Sequence, residues 1–201
     1  MIKEIHWFPD YGTLPSASKN GFNEMKVIWL AFGSNSHGAH GPPDAAICHA
    51  IRRLSRQNFA ICSRSGLFLT PPMGSGRQPP YVNAVIGIQG SIAPAALLRL
   101  LKRLEREAGR RAGVRWGPRP LDIDILDHGG RIIGYPAIAT RRDTLILPHP
   151  GIAARGFVLL PLAKAAPQWR HPVLGVGARA MLARRPNLRR GIVDLGHATK
   201  D

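Results

Sequence analysis

Apolar and polar positions along this chain follow two rhythms, and the changes between them mark out its elements. Lys26 to Phe32 is apolar and rich in strand-forming residues, and Gly33-Ser34-Asn35 breaks it, so a first strand is expected there. A Gly/His/Pro-rich loop runs to Pro43. After it Ile47, Ile51 and Leu54 recur at helical spacing, with Asp44 placed to cap their helix. Ile61 to Leu69 reads as a second strand, ended by Thr70-Pro71-Pro72, and residues 70–80 form a loop long enough to be functional. Tyr81 to Gln89 is a third strand. Ser91 to Ala108 is the clearest helix: Pro94 suits its first turn, Leu97, Leu98, Leu101 and Leu104 make a stripe, and Gly109 stops it.

From Leu121 the rhythm becomes strict alternation. Leu121, Ile123 and Ile125 are apolar, with Asp122 and Asp124 between them. Successive side chains of a strand point to opposite faces, so the two carboxylates share one, with Cα atoms roughly 6.6 Å apart. Asp127-His128-Gly129-Gly130 predicts a hairpin turn, with Arg131 to Ile133 returning from it. Residues 134–144 are irregular, and Phe157 to Ala165 reads as a helix. The order strand, helix, strand, strand, helix, strand predicts an α+β fold of the ferredoxin-like split βαβ type, an antiparallel sheet with helices packed on one face.

Residues 1–25 lack periodicity and read as a flexible tail; Met25, directly before the first strand, is an alternative start. The domain is expected over 26–173. Residues 174–201 carry Arg179, Arg184, Arg185, Arg189 and Arg190 with no acid before Asp194, and are expected to form a basic tail dispensable for chemistry.

With 201 residues the chain is long enough for one domain with a substantial core. Two cysteines, Cys48 and Cys62, show neither metal nor disulfide spacing, no apolar run is long enough for a membrane span, and the N-terminus lacks the order of a secretory signal. A cytoplasmic protein is expected, with no membrane partner. The net charge of +16 raises nucleic acid as a partner, but many of the arginines stand among Ala, Gly and Pro, as in a compositionally biased chain. The twelve acids are more informative. None lies between Asp44 and Glu105, yet Asp122, Asp124 and Asp127 stand together.

Two like charges on one strand face repel unless a cation lies between them. Mg²⁺ suits a site with few protein ligands, and the neighbouring Arg115 and Arg119, on a backbone stiffened by Pro118 and Pro120, point to a metal–phosphate complex. A solvated strand whose aspartates pair with nearby arginines fits the same pattern equally well. His37 and His40, in a Gly/Pro loop without a third ligand, give no zinc site.

Arg115-Trp116-Gly117-Pro118-Arg119-Pro120-Leu121-Asp122-Ile123-Asp124-Ile125 resembles the signature of the hydroxymethyl-dihydropterin pyrophosphokinase family. Phe32-Gly33-Ser34-Asn35, Thr70-Pro71-Pro72-Met73-Gly74, Tyr81-Val82-Asn83-Ala84, Leu147-Pro148-His149-Pro150 and Arg155-Gly156-Phe157 resemble its other blocks, in the same order and over roughly residues 26–173. The resemblance implies a ferredoxin-like fold and the transfer of pyrophosphate from ATP to 6-hydroxymethyl-7,8-dihydropterin, giving AMP and the pterin diphosphate for folate biosynthesis. It implies that Asp122 and Asp124 hold two Mg²⁺ ions with ATP, and that Arg110 and Arg119 are catalytic, neutralising the phosphates. Glu105, Arg110, Trp116, Arg119, Ile125, His149 and Arg155 match its ATP-binding positions. Thr70, Pro71, Met73, Tyr81, Asn83, Trp116 and Phe157 match the pterin pocket, Tyr81 and Phe157 as stacking rings. The expected protein is a monomer.

Departures from that pattern stand at the basic loop, which is one residue shorter and leaves a second catalytic arginine either replaced by Arg111 or absent. Lys102 replaces a glutamine, Asp127-His128 an apolar–aromatic pair, and 134–144 is an insertion. Two alternatives follow from these features: a degenerate member acting as a basic nucleic-acid-binding module, and the same chemistry on a modified pterin.

Overall fold

The computed structural model describes residues 26–73, 78–110, 117–135 and 145–196. The expected N-terminal tail, Arg111, Arg115, Trp116 and most of the 134–144 insertion lie outside the described residues. The elements in chain order are β1 (Ile28–Ser34), α1 (Pro43–Ser55), β2 (Ala60–Arg64), β3 (Leu67–Thr70), β4 (Tyr81–Gln89), α2 (Pro94–Glu107), β5 (Asp122–His128), α3 (Gly156–Ala165), α4 (Ala178–Ala183) and β6 (Val193–Gly196). The strands lie in the order β5-β1-β4-β3-β6, with β2 also on β4, and every neighbouring pair is antiparallel. Taking β2 and β3 as one interrupted strand, this is the expected ferredoxin-like α+β order, extended by β6.

The interruption divides the strand expected over 61–69. Gly66 takes φ +79, open to glycine at little steric cost, while the Ser65 amide and hydroxyl keep their bonds to Val85 across the break. At α1 the cap is Pro42 rather than Asp44, which sits in the first helical turn where its charge complements the helix dipole. The expected return strand 131–133 reduces to a single bridge between Ile133 and Leu147, because Gly129, Gly130 and Gly134 all turn through positive φ.

One core fills the space between the sheet and α1 with α2: Ile28, Leu30 and Phe32 of β1 meet Ile47, Ile51 and Leu54, and Leu97, Leu101 and Leu104. The other sheet face is covered too. Val85 and Leu126 pack against Val158, Leu159 and Leu162 of α3, with Trp169, Met181 and Leu182 behind them. The expectation of helices on one face alone therefore fails. The physical reason lies in β4, whose residues 82–88 are all buried, as in a strand covered on both sides.

The expected C-terminal tail is part of this second layer. Ala178, Met181 and Leu182 of α4 are buried in it, and β6 pairs with β3. Full burial of Met or Leu contributes about 1.5–3 kcal/mol per side chain, so removing residues after 175 would cost stability. The arginines are exposed around these apolar positions and mask their helical spacing.

Candidate active site

Strand β5 carries the acids, and its irregularity decides where they point. Ile123 and Ile125 enter the α1/α2 core, placing Asp122 and Asp124 on the opposite face. The β1–β5 register then slips by one residue, Leu30 pairing with Ile125 but Trp29 with Asp127. Leu126 is the extra residue, a bulge that ends the alternation. The slip turns Asp127 onto the same face as Asp122 and Asp124, but it is not part of the acidic site: it is buried, accepting from Trp169 Nε1 at 2.9 Å and from the Gly130 amide at 2.7 Å.

Asp122 is gripped from two sides. Its Oδ1 pairs with Arg110 Nη1 at 2.5 Å and its Oδ2 with Arg119 Nη1. Burial alone would raise its pKa, but the two guanidinium groups outweigh burial and hold the carboxyl below its ordinary range. Behind Arg110 lies Glu105, with a side chain only 2% exposed. It accepts from Arg110 Nη1 at 2.7 Å, from Lys102 Nζ at 2.8 and 3.0 Å, and from the Ile123 amide at 2.8 Å. Burial pushes its pKa up, against the pull of Lys102 and Arg110. Glu105 thus ties α2 to β5 and fixes two cations that face outward.

Asp124 has looser company. Its Oδ2 lies 3.5 Å from Arg155 Nη1 and 3.7 Å from His149 Nε2. The Gly151 amide donates to His149 Nδ1 at 3.0 Å, so the neutral ring carries its proton on Nε2, toward Asp124. Burial lowers the His149 pKa below 6.5, favouring that neutral form. A Cβ at Gly151 would stand 2.7 Å from Arg155 Nε and 3.0 Å from His149 Cε1, so the glycine leaves room for both side chains as they lie.

These groups line one end of a cavity of about 320 Å³. Thr70, Pro71, Met73, Tyr81, Asn83 and Phe157 also line it. The Asn83 amide donates to Thr70 Oγ1 at 2.8 Å, which fixes the amide plane and leaves its oxygen toward Gly33. A Cβ at Gly33 would come within 3.1 Å of that oxygen and 3.8 Å of the Tyr81 ring, so the glycine keeps this slot open. Phe157 is half-buried, with the Arg155 guanidinium 5.8 Å from its ring centre. One cavity therefore joins a cationic–carboxylate end to a flat amide-and-aromatic slot.

Most of the expected site residues meet in that cavity. Two do not line it. Ile125 turns its side chain into the core, and Glu105 lies behind the wall as a support. Trp116 lies outside the described residues. Lys102 and Gln78 line the cavity without having been assigned a role from sequence. Asn35 was also passed over: its Nδ2 donates to Gln78 Oε1 at 3.2 Å and to the Pro79 carbonyl at 3.3 Å. Its Oδ1 accepts from the Arg119 amide at 2.7 Å. Asn35 thus joins the 70–80 loop to the Arg119 loop. The signal for it was the polar Ser34-Asn35 pair ending a strand, which turn-formation alone does not require.

Among the described residues no three His, Cys, Asp or Glu side chains converge to enclose a metal, and no helix is long and apolar enough to cross a membrane. Two carboxylates on one strand face do fit a hard cation that keeps waters and takes its remaining ligands from phosphate.

The profile of the 7,8-dihydro-6-hydroxymethylpterin-pyrophosphokinase family matches residues 29–167. The 2-amino-4-hydroxy-6-hydroxymethyldihydropteridine pyrophosphokinase of Pseudomonas aeruginosa is 37% identical over 148 residues, covering 74% of this chain and 85% of that protein. A folic acid synthesis protein of Dictyostelium discoideum is 34% identical over 170 residues, but the chain spans only 24% of its length. Among solved structures, Plasmodium falciparum HPPK-DHPS superposes with a TM-score of 0.58 at 14% identity, over 83% of this chain and 46% of that one, a likeness of fold.

Proposed function

The chain belongs to the 7,8-dihydro-6-hydroxymethylpterin-pyrophosphokinase family, and we propose that it transfers pyrophosphate from ATP to 6-hydroxymethyl-7,8-dihydropterin in folate synthesis. The observation that carries this reading is the single cavity with two chemically distinct ends. In the reaction the hydroxymethyl oxygen bonds to the β-phosphorus of ATP. The bond from that phosphorus to the α,β-bridging oxygen breaks, AMP leaves with the electron pair, and the hydroxyl proton is released.

The pterin belongs in the slot, its ring between Tyr81 and Phe157 and its amide-like edge read by Asn83, whose remaining donor and acceptor suit such an edge. Thr70 holds Asn83 in register for that contact. The triphosphate belongs at the other end. Arg110, aimed by Glu105, and Arg119, aimed by the Asn35 contact to its backbone, offer guanidinium groups to the phosphates as charge shifts toward AMP. Lys102, Arg155 and neutral His149 line the same end and contribute further donors. Asp122 and Asp124 would hold Mg²⁺, two ions with each ATP. Bound there, the metal would neutralise the triphosphate and orient its β-phosphorus for in-line attack. With ATP and metal present, Arg110 and Arg119 exchange part of their hold on Asp122 for the phosphates.

This reading has the enzyme working as a monomer in the cytoplasm, with a pterin and ATP as its partners and no nucleic acid. A coupled assay for AMP tests it: AMP should form when ATP, Mg²⁺ and the hydroxymethyl pterin are all present. AMP formation at the same rate without pterin, or none with it, would refute the assignment.

A further inference from the structure

The residues beyond α4 do more than complete a core. Strand β6 pairs with β3 through Leu67–Gly196, Phe68–Asp194 and Leu69–Val193, and β3 ends at Thr70, the residue that holds Asn83. Just before β6, Gly191 takes φ +71 and lies against the next cavity residue: a Cβ there would be 3.3 Å from Pro71 Cγ. The same segment reaches the opposite wall. The backbone of Leu188 lies so close to Gly156 that any Cβ at that position would overlap the Leu188 carbonyl. Gly156 stands between Arg155 and Phe157, both of which line the cavity. Arg185 Nη1 donates to the Ala153 carbonyl at 3.2 Å, two residues before Arg155. Lys164 of α3 pairs with Asp194 of β6, with its ammonium 5.6 Å from the Phe68 ring centre of β3. One short stretch of chain therefore touches the Thr70–Pro71 wall and the Arg155–Phe157 wall together.

We propose that residues 185–196 act as a brace that sets the separation of the two walls of the pterin slot, positioning Pro71 and Phe157 for the ring. The inference rests on the pyrophosphokinase reading above and deepens it. A ring stacked between Tyr81 and Phe157 and bordered by Pro71 needs those positions held, and neither Pro71 nor Phe157 is fixed by its own element. Pro71 opens a long loop, and Phe157 sits in the first turn of α3, where the helix has few hydrogen bonds of its own. The brace supplies what each lacks, through β-pairing on one side and close backbone packing on the other. It touches no reacting atom.

Linkage gives a readout that plain structural support does not share: if the brace sets the slot, a ligand in the slot must steady the brace in return. With α,β-methylene-ATP and Mg²⁺ present throughout, hydrogen exchange of the β6 amides is measured before and after adding the hydroxymethyl pterin. Where the β6 amides exchange faster than those of the central strand β4, and so by local opening, their exchange should slow about tenfold, within the range for coupled sites. Unchanged exchange overturns the proposal. Two full-length variants give the converse. Asp194→Lys sets a like charge against Lys164, and Gly156→Ala drives Leu188 off α3. Either should weaken pterin binding about tenfold while the ATP analogue's Kd moves less than about twofold. A variant whose β6 amides exchange faster, but whose folded fraction binds pterin as before, also overturns it. AMP formation by the unmodified protein, measured first, separates failure of the brace from failure of the reaction assignment.

Discussion

Replacing each aspartate of β5 by asparagine should separate their structural roles while removing the same activity. Asp122 accepts charge-assisted bonds from two arginines and its side chain is 22% exposed. Such bonds are each worth about 1.5 kcal/mol at the low end, the end appropriate to a partly solvated pair, so Asp122→Asn should cost about 2–3 kcal/mol. Asp124 is 35% exposed and lies 3.5 and 3.7 Å from its partners, so its pairs resemble exposed ones worth less than about 1 kcal/mol. For a chain of this size the melting temperature should fall about 4–12 °C for Asp122→Asn and less than about 4 °C for Asp124→Asn. Turnover should be lost in both, since each removes a metal ligand. Thermal unfolding without ligands, alongside the AMP assay, gives both quantities. A larger loss of stability from Asp124→Asn would contradict the ion-pair geometry. Either variant keeping a tenth of kcat, about 1.4 kcal/mol of barrier, would refute the metal assignment.

Phe157→Ala should weaken pterin binding by about 1–3 kcal/mol, the value of one stacking face, and leave ATP affinity nearly unchanged; fluorescence titration checks it, and normal binding by the folded fraction would remove Phe157 from the slot. Gly33→Ala should weaken pterin binding with little change in melting temperature, because its methyl would crowd Asn83 Oδ1 and the Tyr81 ring rather than the core. Burial lowers the pKa of His49, His128, His149 and His171, so just below pH 6.5 the unfolded chain binds more protons than the folded one. The melting temperature should therefore fall between pH 7.5 and 5.5, opposed among the described residues by Glu105, whose raised pKa works the other way, and a constant or rising value would contradict the buried neutral histidines.

The parts of this protein legible in its sequence are those where a local pattern and a physical demand coincide. Asp122 and Asp124, alternating with Leu121, Ile123 and Ile125 along one strand, share a face, and the blocks around them pointed to the residues that the fold brings into one cavity. Positions that depend on partners far along the chain were not legible. That Asp127 does not join its neighbours is decided by the indole of Trp169 and the Gly130 amide, which occupy its carboxylate. Glu105 could be taken for a ligand contact until its burial and three donors were seen. The second helical layer was signalled by the consecutive apolar residues Ala84, Val85 and Ile86 of β4, which simple alternation does not produce. The C-terminal segment was misread because surface arginines dominate its composition, while Ala178, Met181 and Leu182 carry its packing.

The claim that one cavity aligns a hydroxymethyl group with the β-phosphorus, rather than the terminal one, is tested most directly by ³¹P NMR of the reaction mixture. The account predicts AMP and a pterin diphosphate ester appearing together in equal amounts. ADP with a pterin monophosphate would contradict it, since attack would then have occurred at the γ-phosphorus.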